Sequence, residues 1–328
     1  MALALVSFVI AFLASWIMTP IWIRKAKALG LAGKDIQKKS KESVAEAGGI
    51  VVIFSTLAGV LFYIFINTFV INVNIELIEI LGITITFLLA GFIGFIDDIL
   101  GWKVGLKQFH KFLLSIPIAI PLAVLNAGTS DMTIPLFGTF DFGILYPLLI
   151  VPLGVIFATN SFNMLAGMNG IESGNAIIIL STLAFLIWKA GAFWASVIAG
   201  IAVFALLAFF FFNKYPAKVF PGDTLTYSIG ALIAAIAITG NAEKAALILF
   251  FPYFIEFLLK ARGKFKKESF ARVNKDGTLD MQYRGIYSLT HLSIFVLKKI
   301  KGKAYEKEVV YSIWALEIAL AIVAIAFS

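Results

Sequence analysis

Asp97 and Asp98 stand side by side at the end of an apolar run, residues 76–96. Adjacent carboxylates repel each other, and a helix C-terminus carries partial negative charge, so both local fields oppose ionising the pair. Such a pair calls for cations or substrate phosphates close by, and a strained charge pair at a membrane surface suggests chemistry. Four further polar groups sit in equally apolar surroundings: Glu46 with Gly48-Gly49, the segment Asn160 to Glu172, the segment Lys218 to Asp223, and the loop from Arg262 to Arg284. Lys107 and Lys111 follow the aspartate pair. All five groups fall at the ends of apolar runs, on the side where the basic residues collect.

Residues Thr159-Asn-Ser-Phe-Asn-Met-Leu-Ala-Gly-Met-Asn-Gly-Ile-Glu172 carry more polar function than a short connector needs. Asn160 and Asn163, three apart, share a helix face, while Gly167 and Gly170 let backbone approach a ligand closely. Amide oxygens suit hard cations, and amide pairs suit a nucleobase edge. Helix capping followed by a glycine turn explains the same residues equally well. Asp223, between Pro221-Gly222 and Thr224, reads as a helix N-cap. A carboxylate there can also hold Mg2+, which prefers one or two carboxylates completed by waters and substrate phosphates.

Other chemistries find no support. His110 and His291 are the two histidines and lie in no metal-ligand spacing, and there is neither a Walker motif nor a dinucleotide fingerprint. With no cysteine, disulfides and thiolate chemistry are excluded. Glu256 and Glu317 fall inside apolar runs; isolated acids without paired bases are expected to face the protein interior rather than to form a proton path.

The elements that must position these residues belong in a bilayer. Of the 328 residues 61% are hydrophobic and 14% charged, the balance of a multispanning protein. Apolar runs at 2–23, 47–69, 76–96, 108–126, 141–159, 173–189, 193–212, 223–240, 243–261 and 308–327 predict an all-α polytopic fold of ten transmembrane helices in one domain, 1–328. The 27 Lys and Arg, apart from Lys189 and Lys244, fall within 24–46, 97–111, 213–218 and 260–307. The positive-inside rule then places both termini outside and the loops 24–46, 97–111, 160–172, 213–223 and 262–303 in the cytoplasm. A net charge of +8 held on one face suits anionic lipids and phosphorylated substrates, not nucleic acid. Met132 to Phe142 and Phe270 to Tyr283 alternate around turn residues and predict two small β-hairpins. Residues 286–301 predict a helix lying in the membrane interface.

Taken together, Ala45-Glu46-Ala47-Gly48-Gly49, Gly94-Phe-Ile-Asp97-Asp98, His110-Lys111, the Asn160–Glu172 segment, Tyr215-Pro-Ala-Lys218-Val-Phe220-Pro-Gly222-Asp223-Thr224 and Asp276-Gly-Thr-Leu-Asp280-Met281 resemble the polyprenyl-phosphate N-acetylhexosamine phosphate transferase family. The likeness is greatest to its archaeal and eukaryotic branch, the UDP-GlcNAc:dolichyl-phosphate GlcNAc-phosphotransferases. The resemblance implies a ten-helix integral enzyme of the cell membrane with its active site on the cytoplasmic face. It would transfer a sugar phosphate from a UDP-sugar, UDP-GlcNAc foremost, to polyprenyl or dolichyl phosphate, releasing UMP. It implies Mg2+ held by Asn163 and Asp223, a phosphate on Lys111, and Asp97 and Asp98 organising the charged centre. Gly167, Asn169 and Phe220 would hold the uracil, with Glu46, Glu172 and Lys218 lining the site. Lys267 and Arg272 stand in the last loop, where relatives carry arginine and histidine clusters against the sugar; the stretch here reads Lys266-Lys-Glu-Ser-Phe-Ala-Arg272, which leaves a modified amino sugar open. Relatives form dimers, so a homodimer is expected. The competing expectation is a transporter or lipid flippase, which would gather polar residues near the bilayer midplane on repeated halves.

Overall fold

Hydrocarbon offers a backbone no outside hydrogen-bond partner, so an apolar chain closes its bonds within helices. The computed structural model describes residues 2–40, 42–101 and 108–327. Lys107, expected beside Lys111, lies outside them. The helices are α1 (Ala2–Ala28), α2 (Gly49–Ile66, continued by a wider turn over Asn67–Ile71), α3 (Leu77–Leu100), α4 (Gln108–Val124), α5 (Val151–Met164, preceded by a wide turn over Tyr146–Ile150), α6 (Ile171–Lys189), α7 (Phe193–Asn213), α8 (Gly222–Thr239), α9 (Glu243–Leu249), α10 (Phe251–Arg262), α11 (Leu289–Lys301) and α12 (Glu306–Phe327).

Eight of the described helices are long and apolar enough to cross a membrane: α1, α2, α3, α5, α6, α7, α8 and α12. Two of the ten expected runs take another form. The run 108–126 becomes α4, a shorter apolar helix with Pro117 and Pro121 inside it. The run 243–261 breaks into α9 and α10, because Pro252 lies in the first turn of α10 and has no N–H to continue the ladder. In addition, α3 runs past residue 96, so Asp97 and Asp98 lie in its last turn instead of after it.

Helix α8 is the centre of the bundle: 83% of its apolar window is buried, against 28% for α1 and 33% for α12. It packs on α3, α5 and α2. The approach of α3 to α8 requires a residue with no side chain at Gly94, where a Cβ would stand 2.3 Å from the carbonyl oxygen of Asp223. That contact sets the two helices' aspartates facing each other.

Among the described residues three antiparallel hairpins decorate the helices. The two expected ones form from β3 (Asp131–Ile134) with β4 (Gly138–Asp141), and from β5 (Ala271–Val273) with β6 (Leu279–Met281). The third, β1 (Ala32–Lys34) with β2 (Ser43–Ala45), arises from a loop that the sequence marks only by its lysines. β2 continues into a tie with the α7–α8 connection: Phe220 N–H donates to Ala45 O (2.7 Å), Gly48 N–H to Phe220 O (2.9 Å) and Gly49 N–H to Pro221 O (2.8 Å). α11 is helical as expected, with Ser288 capping its N-terminus.

Replacing Gly94 by alanine forces backbone apart where α3 meets α8. We expect Gly94→Ala to lower stability by about 1–3 kcal/mol, read as a lowered thermal unfolding midpoint in detergent.

Candidate active site

The ends of α3, α4, α5 and α8 converge on a cavity of about 950 Å³ that is closed on its other side by β1–β2 and the residues around Phe270. Lining it are ten of the expected site residues: Glu46, Asp97, Asp98, Lys111, Asn163, Gly167, Asn169, Glu172, Phe220 and Asp223. Residues nearly 180 positions apart thus share one space.

At its charged end one ammonium serves two carboxylates. Lys111 Nζ lies 2.7 Å from Asp97 Oδ2 and 2.5 Å from Asp223 Oδ2. Asn163 Nδ2 donates to the same Asp223 oxygen (3.1 Å), and Thr226 Oγ1 donates to Asn163 Oδ1 (2.9 Å). Asp98 has a different role from its neighbour. Its Oδ1 accepts the backbone N–H of Asp223 (2.8 Å), and its Oδ2 accepts the N–H (3.0 Å) and hydroxyl (2.5 Å) of Thr224. These are first-turn donors of α8, which have no partner within the helix. Asp223, expected to cap α8, does not do so; a carboxylate from another helix caps it, and Asp223 is released to face Lys111. Gly222 makes this possible, since its φ is +72° and a Cβ there would stand 2.1 Å from Asp98 Oδ2. The adjacent pair is accommodated because its members turn to different positive partners, a helix N-terminus and a lysine.

The donor set fits Mg2+ as far as it goes. Asp223 offers a carboxylate oxygen next to the Asn163 amide, whose Oδ1 would exchange its Thr226 partner for an ion when the amide turns, and Asp97 and Asp223 share one ammonium. No cluster of three His, Cys, Asp or Glu side chains converges on a point among the described residues. The fit is therefore to an ion completed by phosphates and water, the usual state of Mg2+, and not to an all-protein cage.

The opposite end is a network around Asn169. Its Oδ1 accepts from Lys38 Nζ (2.7 Å) and from the N–H of Ala217 (2.8 Å), and its Nδ2 donates to Asp35 Oδ2 (3.2 Å). One N–H of the amide is left for a ligand. The backbone N–H of Asn169 donates to Glu306 Oε1 (2.8 Å), and that of Gly167 to Glu172 Oε1 (2.9 Å). Glu46 lies over Gly33. Burial pushes its carboxyl above the ordinary range. Phe220 is held beside Glu46 by the β2 tie.

The structure does not bring Lys218, Lys267 or Arg272 into the lining. Lys218 is exposed between residues whose side chains turn inward. Lys267 Nζ sits 4.5 Å over the Tyr283 ring. Arg272 is on the open face of the β5–β6 hairpin, 3.2 Å from Asp280 Oδ2. Lys298 and Arg272 hold the Asp280 carboxyl down at about 2, so this pairing is complete at neutral pH. Sequence reasoning passed over Asp35, Lys38, Asn213, Thr224, Thr226 and Phe270. Thr224 and Thr226 had a signal in their position one turn into a helix that begins at an aspartate. Asp35 and Lys38 had none, because a basic loop reads as topology. Asn213 ties α7 to the site: its Oδ1 accepts from Ser173 Oγ (2.5 Å), and its Nδ2 donates to Val219 O (3.0 Å).

Residues 80–241, which carry Asp97, Asp98, Lys111, Asn163 and Asp223, match the family described as Glycosyl transferase family 4. A protein of Saccharolobus solfataricus, provisionally named a UDP-N-acetylglucosamine–dolichyl-phosphate N-acetylglucosaminephosphotransferase, is 39% identical over 98% of this chain and 95% of its own length. The chain belongs to Glycosyl transferase family 4. It is a glycosyl-phosphate transferase of the membrane-embedded kind. Other similar family members include a UDP-N-acetylglucosamine–dolichyl-phosphate N-acetylglucosaminephosphotransferase of Dictyostelium discoideum, 29% identical over 70% of this chain and 64% of its own. A phospho-N-acetylmuramoyl-pentapeptide-transferase of Halalkalibacterium halodurans is 31% identical over 79% of this chain and 84% of its own. The family match leaves the β1–β2 hairpin and the Phe270 loop outside its limits, so in this family member the nucleus of the site lies inside the match and two of its walls do not.

Removing the cap separates the roles of the two aspartates. Asp98→Ala is expected to destabilise the protein by about 1–3 kcal/mol through the lost N-terminal partners of α8. Thr224→Val, which removes only the hydroxyl contact, is expected to cost about 0.5–1.5 kcal/mol. Thermal unfolding of both variants beside the parent checks the ranking.

Proposed function

We propose that the protein transfers N-acetylglucosamine phosphate, or the phosphate of a closely related amino sugar, from its UDP-sugar to polyprenyl or dolichyl phosphate, releasing UMP. The observation that carries this reading is the lysine held between Asp97 and Asp223 in a cavity whose other end presents amide, carboxylate and aromatic groups. One end suits a diphosphate, the other a nucleoside. Relatives' names point to the same substrates. The transporter alternative has no supporting observation: the polar residues gather at one end of the bundle, and the family is one of enzymes.

In this mechanism an oxygen of the lipid phosphate attacks the sugar-linked phosphorus of the donor. The new P–O bond forms as the bond to the bridging oxygen breaks, and that oxygen leaves on UMP. A lipid phosphate is anionic at neutral pH, so charge neutralisation and alignment matter more than a strong base. Asn163 and Asp223 would hold Mg2+, which supplies neutralisation of the diphosphate when bound. Lys111 turns from the two carboxylates towards phosphate oxygen. Asp98 keeps the first turn of α8, and so Asp223, in place. Three hydrogen bonds to its two oxygens support a positioning role for Asp98 over a nucleophilic one. Phe220, Gly167 and the free N–H of Asn169 receive the uracil, and Glu46 and Glu172 complete that wall.

We further propose that α4 and the α9–α10 pair complete ten crossings, that both termini lie outside, and that the cavity opens to the cytoplasm with α11 along the interface. The apolar side chains Leu292, Phe295, Val296 and Ile300 exposed on α11 support that placement.

Two experiments test these readings. Purified protein with UDP-GlcNAc, dolichyl phosphate and Mg2+ should release UMP and form a GlcNAc-diphospho-lipid; chelation should stop it, and Asp223→Ala should lower turnover by about 100-fold or more. UMP formation that survives Asp223→Ala would remove that residue from the mechanism. Because the chain has no cysteine, Thr139→Cys and Lys275→Cys each give one thiol. An impermeant maleimide applied to intact cells should label the first and not the second; the reverse pattern would invert the topology.

A further inference from the structure

The loop between α10 and α11 is fixed by a buried carboxylate that the mechanism does not use. Glu256, wholly enclosed in α10, accepts the N–H of Leu289 (2.7 Å) and the hydroxyl of Ser288 (3.1 Å) on Oε2, holding the start of α11. Its Oε1 faces Lys260 Nζ at 3.6 Å and Ser269 Oγ at 3.4 Å. Ser269 is gripped again: its Oγ accepts from Lys260 Nζ (2.6 Å), and its carbonyl accepts from Thr290 Oγ1 (2.7 Å). The next residue, Phe270, has its carbonyl 3.1 Å from His291 Nε2, and Ala271 then enters β5.

A buried ion pair is a poor source of stability compared with apolar packing, but a satisfied polar network fixes one geometry. What this one fixes is a ring. Phe270 lines the cavity, and its Cε1 lies 2.7 Å from where a Cβ of Gly167 would stand. The ring therefore covers Gly167 next to Asn169 and Glu172. Among the described residues Phe220 is the other aromatic of the lining, and it is held independently by the β2 tie.

We propose that Phe270 is a specificity-determining residue, the aromatic wall against which a flat apolar face of the donor packs, and that Glu256 is the positioning residue that holds this wall. The chemistry recognised is a planar or C–H-rich ring face, offered by the nucleobase or by the hexose. The inference rests on the nucleotide-sugar reading above.

The test is binding of UDP and of UDP-GlcNAc to the full-length protein in detergent. Phe270→Ala should weaken binding by about 10-fold or more, the scale of ring stacking, and Phe270→Tyr should restore it. Equal losses for both ligands assign the wall to the nucleobase; a loss confined to UDP-GlcNAc assigns it to the sugar. Unchanged affinity for both, with the parent binding normally, overturns the proposal, whereas a parent that binds neither ligand overturns the nucleotide-sugar reading and the inference with it. Glu256→Gln, and the gentler Thr290→Val where the first does not fold, should weaken binding when Phe270 is present and add nothing to Phe270→Ala. A loss of the same size in both backgrounds would reduce the network to general stability and remove Glu256 from the proposal.

Discussion

The site depends on one carboxylate reaching across two helices. Asp98 accepts the first backbone donors of α8 from the last turn of α3, and that bond sets where the α8 N-terminus begins. Asp223, and with it the ammonium of Lys111, is placed relative to it. The helix N-terminus carries partial positive charge and unpaired N–H groups, so it stabilises Asp98 in a setting where an unpaired carboxylate would be costly. Asp223 is thereby left to share Lys111 with Asp97. Two aspartates adjacent in the chain acquire different tasks because consecutive side chains leave a helix about 100° apart, and the two meet different partners.

Close backbone approach is the condition for this arrangement. Gly94 lets α3 lie against the first turn of α8, and Gly222 gives the chain the left-handed turn that presents its N–H groups to Asp98. A second tie, of backbone alone, links β2 to the α7–α8 connection and carries Glu46 and Phe220 into the same cavity. The site is thus held by helix packing at its charged end and by short loop-to-loop pairing at the end that carries Glu46 and Phe220. The bundle's central helix is also the one that bears Asp223, so the carboxylate that faces Lys111 and Asn163 rests on the part of the fold most enclosed by protein.

Much of this was legible in the sequence because a bilayer imposes a strong filter. Apolar runs, the segregation of lysine and arginine, and two alternating segments around turn residues gave the helices and two of the hairpins. Polar residues that survive in such a chain are few, so their clustering at the ends of apolar runs marked Glu46, Asp97, Asp98, Lys111, Asn163, Asn169, Glu172 and Asp223, with Gly167 among them, while Phe220 came from the family resemblance; all ten line the cavity. The β1–β2 hairpin was not legible, since three-residue strands in a basic loop have too little alternation to be read. Nor was the break between α9 and α10, where one proline interrupts a run of otherwise uniform hydropathy.

The sequence by itself determined that this chain folds in a membrane and that its chemistry sits with its charges, because burial of a polar group in hydrocarbon is tolerated only with a partner or a purpose. Only the tertiary structure decided which partner each group has. Capping is a contact between a side chain and whatever helix end lies within reach, and distance along the chain says nothing of that reach. Local spacing therefore pointed to Asp223 as the cap of its own helix, while packing gave the task to Asp98, 125 residues away. The same reason separates the lysines: Lys111 is turned inward by α4 to meet two carboxylates, and Lys218, Lys267 and Arg272 find their places outside the cavity, on the surface or against neighbouring side chains.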